Sequence, residues 1–283
     1  MTLIFIAALC SVTVSVLIKF AKTKGFNALQ MIVWNYLSAS ILCFLWFKPD
    51  FSHFEIMTAP WWFILLLGII LPSLFWCLAQ SLHHAGIVKT EVAQRLSVVL
   101  SLLAAYFLFQ EQFNTLKILG ILLGIVSVLC LLWKRKTNDI KQQSYATLFL
   151  LCVWIGYALV DVLLKYNSSL GLKFALSLNL VFITAFVLSV LYVSLSRDHT
   201  WQLKNIPVGL GLGILNFMNI ASYVQAHQTL KNSPAVVFMT MNLCVVLLGI
   251  LVGIIIFKER IKSSTWLGVI FAVIGILCLA IAM

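Results

Sequence analysis

The sequence predicts an all-α polytopic membrane protein with ten transmembrane helices, arranged as two five-helix repeats of inverted topology. The chain of 283 residues is 63% apolar and only 10% charged, and its mean hydropathy is +1.08. Soluble domains carry charge on roughly a quarter of their residues, so this composition indicates a protein that lies within a bilayer. Two further observations, ten apolar runs and an internal repeat, predict the architecture.

The apolar runs follow one another along the chain, each close to the roughly 20 residues that a helix needs to cross the hydrocarbon core. The first begins directly after Met1, without the basic residues that open a cleavable signal, so we interpret it as a retained span. The longest polar stretches, 48–59, 134–144 and 195–205, are predicted to be loops, and no soluble domain fits between the spans. The predicted spans are, in order, 2–19, 29–47, 60–81, 87–109, 115–133, 145–165, 172–194, 206–226, 233–256 and 264–282.

The second half of the chain repeats the first at a spacing of 148 residues. Segment 109–113 returns as 257–261 with a glutamate at the centre of each copy, and the match continues without a gap to Cys130 and Cys278. Because each half holds an odd number of spans, the second copy must enter the membrane in the opposite orientation. Many transporters build two gates around one site from such inverted repeats. The predicted division is a first repeat at 1–136, a connecting loop at 137–144 and a second repeat at 145–283.

The distribution of basic residues predicts the orientation. Thirteen Lys and Arg residues fall on the side that holds loops 1–2, 3–4, 5–6, 7–8 and 9–10, five fall on the other side, and Arg95 lies within a span. The positive-inside rule places the first side in the cytoplasm and both termini outside it. We therefore expect a multi-pass protein of the plasma membrane, the bacterial inner membrane. The net charge of +11 follows from topology and does not indicate a nucleic-acid partner.

Two pairs of motifs carry a resemblance to a known family. A lysine closes the first and sixth spans, in Leu-Ile-Lys19-Phe and Leu-Leu-Lys165-Tyr, and a Phe-x-Glu-x turn precedes a Gly-rich span in each half. In these features and in its span count the whole chain resembles the drug/metabolite transporter superfamily, in its EamA-like form with two inverted five-helix repeats. The chain departs from the family pattern in the first span, which lacks Trp-Gly, and in the second, where Asn35 replaces a common arginine. The resemblance implies that spans three, four, eight and nine surround a central cavity.

Glu111 and Glu259 centre the two matching turns, just before the fifth and tenth spans. A carboxylate at such a place accepts hydrogen bonds from free helix N–H groups and complements the positive end of the helix dipole. We therefore interpret both as structural helix caps.

Small residues four apart in three spans allow helices to approach closely. We expect this packing within one chain, and a homodimer through these Gly-rich helices is the alternative. The pairs are Gly120 with Gly124, Gly249 with Gly253, and Gly268 with Ala272.

Lys89, Glu91 and Arg95 are the charges that most need an explanation, because they lie in the fourth span. A charge at a helix centre costs roughly 2.5–3.5 kcal/mol even on a lenient scale, so Arg95 is predicted to face the protein interior. Glu91 and Arg95 are spaced i, i+4 and are expected to pair. The matching positions of the ninth span are apolar, so the fold does not require these charges, and we predict that they line the solute path. A structural ion pair between helices is the alternative.

Asp161 is the other acidic residue within a span. It lies four residues before Lys165, and a pair between the two near the membrane surface is one interpretation. The other is a protonatable carboxylate that couples transport to a proton gradient.

Polar and aromatic side chains of other spans complete the predicted path. Asn216, Asn219 and Tyr223 are three to four residues apart and fall on one face of the eighth span. The predicted substrate-binding residues are Arg95, Glu91, Lys89, Asn35, Trp76, Asn216, Asn219 and Tyr223.

The expected function is secondary transport of a small organic metabolite or xenobiotic by alternating access, with export as the expected direction. No Walker A loop, G-x-S-x-G or H-E-x-x-H motif occurs, so ATP-driven pumping and hydrolysis lose their usual support. We expect no cofactor, metal or catalytic site and no enzyme activity; the expected partners are the solute and membrane lipids. The alternatives are a non-transporting membrane protein, such as a lipid scramblase or partner subunit, and a membrane-embedded enzyme, for which the sparse acidic residues supply no convergent set.

Overall fold

The computed structural model describes residues 1–49, 60–109, 113–133, 140–169, 173–196, 200–230 and 233–282. Within these residues, ten helical segments are long and apolar enough to span a membrane. The predicted all-α polytopic fold is confirmed. The helices are α1 (Thr2–Thr23), α2 (Ala28–Phe47), α3 (Trp61–His84), α4 (Ile87–Arg95), α5 (Ser97–Phe109), α6 (Thr115–Leu132), α7 (Ile140–Ser169), α8 (Phe174–Leu195), α9 (Asn205–Thr229), α10 (Pro234–Ile255) and α11 (Ser263–Ile281).

The predicted fourth span is present as Ile87–Leu108, and it consists of two helices, α4 and α5, that meet at Leu96. α4 ends at Arg95, and the Ser97 hydroxyl donates to the Gln94 carbonyl at 2.8 Å. The indole N–H of Trp154 on α7 donates to the Leu96 carbonyl at 2.9 Å. Discontinuous helices are tolerated inside membranes where other groups satisfy the freed backbone, and here Trp154 and Ser97 do so.

Contacts between loops assign the chain segments to two faces. On one, the Asn27 N–H donates to Asn205 Oδ1 at 3.1 Å, and Lys204 Nζ donates to the Gly25 carbonyl at 3.1 Å. We call this side, which also holds 85–86 and 256–262, the basic face. On the opposite face, Asn114 Nδ2 donates to the Ala282 carbonyl at 3.4 Å. Successive spans therefore cross between the two faces as the predicted alternation requires.

The helices form two groups around two large hydrophobic cores, and a smaller apolar cluster joins α1 and α9 of the first group to α10 of the second. The first core is built mainly from α1, α2, α3, α8 and α9. The second is built mainly from α4, α5, α6, α10 and α11. In the repeat, α1, α2 and α3 correspond to α7, α8 and α9. The helix contacts repeat in the same way: the α2–α9 contact corresponds to the α8–α3 contact, and the α1–α9 contact corresponds to the α7–α3 contact. The packing therefore follows the inverted repeat of the sequence.

Glycines of the Gly-rich spans are used in contacts within the chain. In the tight α6–α11 contact a Cβ at Gly120 would lie 2.7 Å from Leu279 Cγ, and a Cβ at Gly268 would lie 3.1 Å from the Ser127 carbonyl oxygen. The Ser127 hydroxyl donates to the Gly268 carbonyl at 2.5 Å. Many large apolar side chains elsewhere, such as Phe107 and Ile281, point outward and are well exposed, as lipid-facing residues are.

Candidate functional site

Arg95 is held near the middle of the bundle by the end of α4. Its Nη2 donates to the Ser11 hydroxyl of α1 at 2.6 Å, and Ser11 lies close to the midpoint of α1. The Nε atom of Arg95 is buried and has no hydrogen-bond partner among the described residues. The guanidinium therefore keeps an unused donor, since arginine carries five N–H groups and cannot shed its charge.

Asp161 is brought beside the break of the fourth span. Its Oδ2 lies 3.4 Å from the Ser97 hydroxyl oxygen and accepts the longer branch of a shared hydrogen bond, whose shorter branch goes to the Gln94 carbonyl at 2.8 Å. The residue is exposed. It follows the outward-facing Ile155 and Leu159 by six and two positions, and at about 100° per residue this places it on another side of α7. Its accessible surface therefore lies on the side of α7 that faces Ser97.

Two tyrosines lie within the electrostatic field of this pair. Tyr157, one turn from Asp161 on α7, feels the charges of Arg95 and Asp161, and so does Tyr223 on α9. The Tyr223 ring also packs edge-on against His227, with centroids 4.6 Å apart. One cation, one accessible carboxylate and two phenols thus come together from α4, α7 and α9. We call Arg95, Asp161, Tyr157 and Tyr223 the central site.

Glu91 does not pair with Arg95, contrary to the expectation from their spacing. The two residues form no ion pair, and both carboxylate oxygens of Glu91 are buried without a hydrogen-bond partner among the described residues. Both residues lie within α4, but the Arg95 side chain is directed to α1, where its Nη2 donates to Ser11. Glu91 therefore lies next to the central site as a separate, buried group.

Lys89 lies apart from the central site. Its Nζ donates to the Leu131 carbonyl at the end of α6 at 2.8 Å, where a cation complements the negative end of a helix dipole. It also borders a polar cavity of about 270 Å³ on the basic face, which Lys19, His83 and Arg260 help to line. Six residues separate Lys89 from Arg95, about 9 Å along a helix.

Three more predicted residues belong to helix contacts. Asn35 of α2 is fully buried, and its Oδ1 accepts from Asn216 Nδ2 of α9 at 3.5 Å. Asn219 lies half-buried on α9, three residues further on. A Cβ at Gly213 would lie 2.3 Å from the Asn35 carbonyl oxygen, so α2 and α9 pack closely here. Asn216 thus satisfies the Asn35 amide oxygen in this contact, whereas Asn35 Nδ2 is buried without a hydrogen-bond partner among the described residues.

Trp76 lies on the outer side of α3. Its ring packs edge-on against Phe149 of α7 at 5.5 Å between centroids. It also borders an apolar cavity of about 440 Å³ between α2, α3 and α8, together with Leu29, Pro72 and Leu188.

Glu259 is a helix cap, but the helix is not the one expected. Its Oε1 accepts from the Ile87 N–H at 2.7 Å and its Oε2 from the Val88 N–H at 3.3 Å, at the start of α4. The sequence predicted a cap on α11, whose N-cap position is instead Lys262. Because Glu259 precedes α11 by four residues, its side chain reaches back past Gly253 to α4. Glu111 lies outside the described residues.

Lys19 completes this contact. Its Nζ lies 2.5 Å from Glu259 Oε1 and 4.5 Å from the centre of the Phe257 ring. Gly86, with φ of 91°, provides the space, since a Cβ there would lie 2.8 Å from both carboxylate oxygens. We call Lys19, Glu259 and the first turn of α4 the basic-face latch.

Sequence reasoning missed Ser11 and Ser97, which hold Arg95 and Asp161. Single serines in apolar spans carry no periodic signal, although the polar cluster Gln94-Arg95-Leu96-Ser97 marks the place where the fourth span breaks. Among the residues that the structure describes, no group of three or more His, Cys, Asp or Glu side chains is placed to hold a metal ion.

The comparison with known families fits this architecture. The model of the EamA-like transporter family matches residues 1–133 and 144–281, one match in each half. The chain belongs to the EamA-like transporter family. A protein of Haemophilus influenzae described as uncharacterized is 38% identical over 280 residues, which cover 96% of this chain and 95% of the relative. Membership of this family makes the chain a multi-pass membrane protein of a transporter family, and that family is not one of enzymes.

Proposed function

We propose that this EamA-like protein is a secondary transporter that carries a small zwitterionic organic solute through the central site by alternating access. The observation that carries the proposal is the convergence of the Arg95 guanidinium and the accessible Asp161 carboxylate inside the bundle. Ionisable residues inside a membrane domain are costly and usually mark a solute or ion path.

The charges indicate the class of solute. The unpartnered Nε of Arg95 suits a carboxylate, which arginine binds with charge-assisted and often bidentate hydrogen bonds. Asp161 suits an ammonium group, and Tyr157 and Tyr223 offer rings for a compact organic body. A solute with both charges, such as an amino acid, leaves neither protein charge without a partner.

The proposal also covers the direction of transport and the orientation of the chain in the membrane. The basic face is cytoplasmic by the positive-inside rule, which puts Met1 and Met283 outside a bacterial plasma membrane. The basic-face latch is closed in the described conformation, whereas Asp161 is accessible. Export is the proposed direction, with the solute entering from the basic face when the latch opens. The proposal needs no cofactor.

The experiment is flux into liposomes that hold the purified protein. A panel of radiolabelled amino acids is first screened by thermal shift, and each hit is then tested for saturable uptake. We expect at least one hit, with uptake lost in Asp161→Asn and retained in Lys117→Gln, a control at the start of α6. Stabilisation by none of the amino acids, or uptake that does not saturate, contradicts the proposal. Protein-dependent flipping of labelled phospholipid in the same liposomes would then support the scramblase alternative.

A further inference from the structure

Glu91 is the most completely buried ionisable residue next to the central site. Its accessible surface is 0%, and neither carboxylate oxygen has a hydrogen-bond partner among the described residues. α10 packs directly on it: a Cβ at Gly249 would lie 3.0 Å from Glu91 Cγ and 3.1 Å from its Cβ. A larger residue at Gly249 would therefore press on the glutamate stem.

The groups around Glu91 do not neutralise a negative charge. On its own helix Arg95 is close enough to interact electrostatically but forms no ion pair with it. From α1 the Ser15 hydroxyl lies nearby without a hydrogen bond of ordinary length, and Lys19 is held by Glu259. From α7 the facing titratable group is Tyr157.

The remaining neighbours of α4 add no hydrogen-bond partner for Glu91; α3 carries the titratable His83 and His84, which line the basic-face cavity beside Val88 and Lys89. α10 and α11 contain no Asp, Glu, Lys, Arg or His. On α3 the Ser81 hydroxyl is occupied by a 2.8 Å hydrogen bond with Thr90, and further along Lys89 is turned to the Leu131 carbonyl.

The surroundings of Glu91 determine which of its protonation states is stable. A buried ion without a partner costs several kcal/mol, whereas a neutral polar group without a hydrogen bond costs about 1–3 kcal/mol. The neutral carboxylic acid is therefore the stable form here. The repeat shows that the fold does not need a carboxyl group at this position, since the matching residue of α10 is Met239.

We propose that Glu91 is a proton-binding site, protonated while α1 covers it and deprotonated when the basic-face latch opens. On opening, the O–H bond of the acid breaks, the proton passes to water, and the carboxylate that remains faces the Arg95 guanidinium. Closing reverses each step. The inference adds the coupling ion to the proposed transport function and rests on it, but its test needs no solute.

The first experiment is infrared spectroscopy of the purified protein at neutral pH, where a protonated carboxyl group shows a C=O stretch. Protein labelled with ¹³C-glutamate should shift this band, which separates Glu91 from Asp161. The band should be lost in Glu91→Gln and in Glu91→Met, which copies Met239, and should persist in Asp161→Asn. A wild-type protein without a glutamate-sensitive band overturns the proposal, even if neither variant folds. A glutamate band that persists in Glu91→Gln overturns it as well.

The second experiment tests the link to the latch. In a cysteine-free background, Lys19→Cys and Glu259→Cys are joined by a reducible bifunctional thiol reagent, and the band is followed as the pH is raised. We expect the band to disappear at a higher pH when the latch is joined than after reduction. The control joins Lys22→Cys to Gln80→Cys, whose native side chains also meet at 2.5 Å on this face but within the first helix group. Equal behaviour of joined and reduced latch protein would overturn release on opening, whatever the outcome of the flux assay.

Discussion

At the scale of single residues, the cost of placing charge in a membrane explains the arrangement around Arg95. A guanidinium cannot become neutral, so the fold supplies Ser11 and the nearby carboxylate of Asp161. Glu91, which can become neutral, is instead packed without a partner. The two acidic residues therefore differ in access to solvent, and this difference is the basis for assigning them different roles.

Arg95→Lys tests whether the shape of the guanidinium matters. Lysine keeps the charge but loses the planar fork that binds a carboxylate bidentately. We expect the apparent affinity of the amino acid identified by flux to fall roughly 10- to 100-fold, as the loss of about 1.5–3 kcal/mol from a charged hydrogen bond implies. Arg260→Lys on the basic face is the control. Unchanged affinity in Arg95→Lys would remove Arg95 from the solute site.

Lys89→Gln tests a residue of α4 that the sequence predicted to line the solute path. In the structure its ammonium group instead contacts the C-terminal end of α6. The change removes a cation from a helix C-terminus, worth about 0.3–1 kcal/mol. We expect a small loss of stability in detergent unfolding and unchanged affinity for the solute. A selective loss of affinity would return Lys89 to the path.

At the scale of helices, the sequence predicted the spans well, since the limits of most agree with the structure to within a few residues. The prediction succeeded because the length of an apolar run is set by the thickness of the membrane. It gave no sign of the interruption at Leu96, where α4 ends within an apolar run and a partner distant in sequence, Trp154, satisfies the freed carbonyl. It also failed for the Glu91–Arg95 pair, because an i, i+4 spacing puts two side chains on one helix face but does not decide whether they meet, and Arg95 contacts Ser11 instead.

The capping of α4 by Glu259 was beyond sequence reasoning for a related physical reason. Free N–H groups are present at every helix start, and the local sequence does not say which carboxylate reaches them. The nearest helix in sequence was the natural expectation, but Gly86 and Gly253 leave space for the carboxylate at α4.

Gly86→Ala tests this space, with Gly25→Ala as a matched control. Both glycines have positive φ, 91° and 72°, so both alanines carry a similar backbone penalty. Only at Gly86 would the new Cβ meet the Glu259 carboxylate, because nothing lies within 4 Å of the corresponding position at Gly25. We expect Gly86→Ala to cost about 1 kcal/mol or more beyond Gly25→Ala in the free energy of unfolding. Equal losses would show that α4 does not depend on the cap.

At the scale of the whole molecule, ten spans and the distribution of basic residues predict which sites share a compartment. Single cysteines at Lys24 and Lys262, both exposed on the basic face, should react with a membrane-impermeant maleimide only in inverted vesicles. Cysteines at Thr115 and Ser233 should react only in right-side-out vesicles. Reversed labelling of all four would invert the orientation, and mixed labelling within a pair would contradict the span count.

The basic-face latch joins the two helix groups, and this position predicts its part in transport. Lys19 belongs to α1, which contributes to the first core, whereas α4 contributes most of its buried apolar residues to the second core and only Ile87 to the first. If a solute enters from the basic face, these groups must separate there. Joining Lys19→Cys to Glu259→Cys with a reducible bifunctional reagent should therefore stop flux of the identified amino acid, and reduction should restore it.

The joined Lys22→Cys and Gln80→Cys pair provides the comparison for flux as well. It links α1 to α3 across a contact of the same length on the same face, but both helices contribute to the first core. A rigid group can be joined internally without loss of its motion relative to the other group, so this protein should keep its flux. If both joined proteins transport at the rate of their reduced forms, the basic face does not open during transport. If both stop, α1 and α3 also move relative to one another, and the boundary between the moving bodies lies inside the first group.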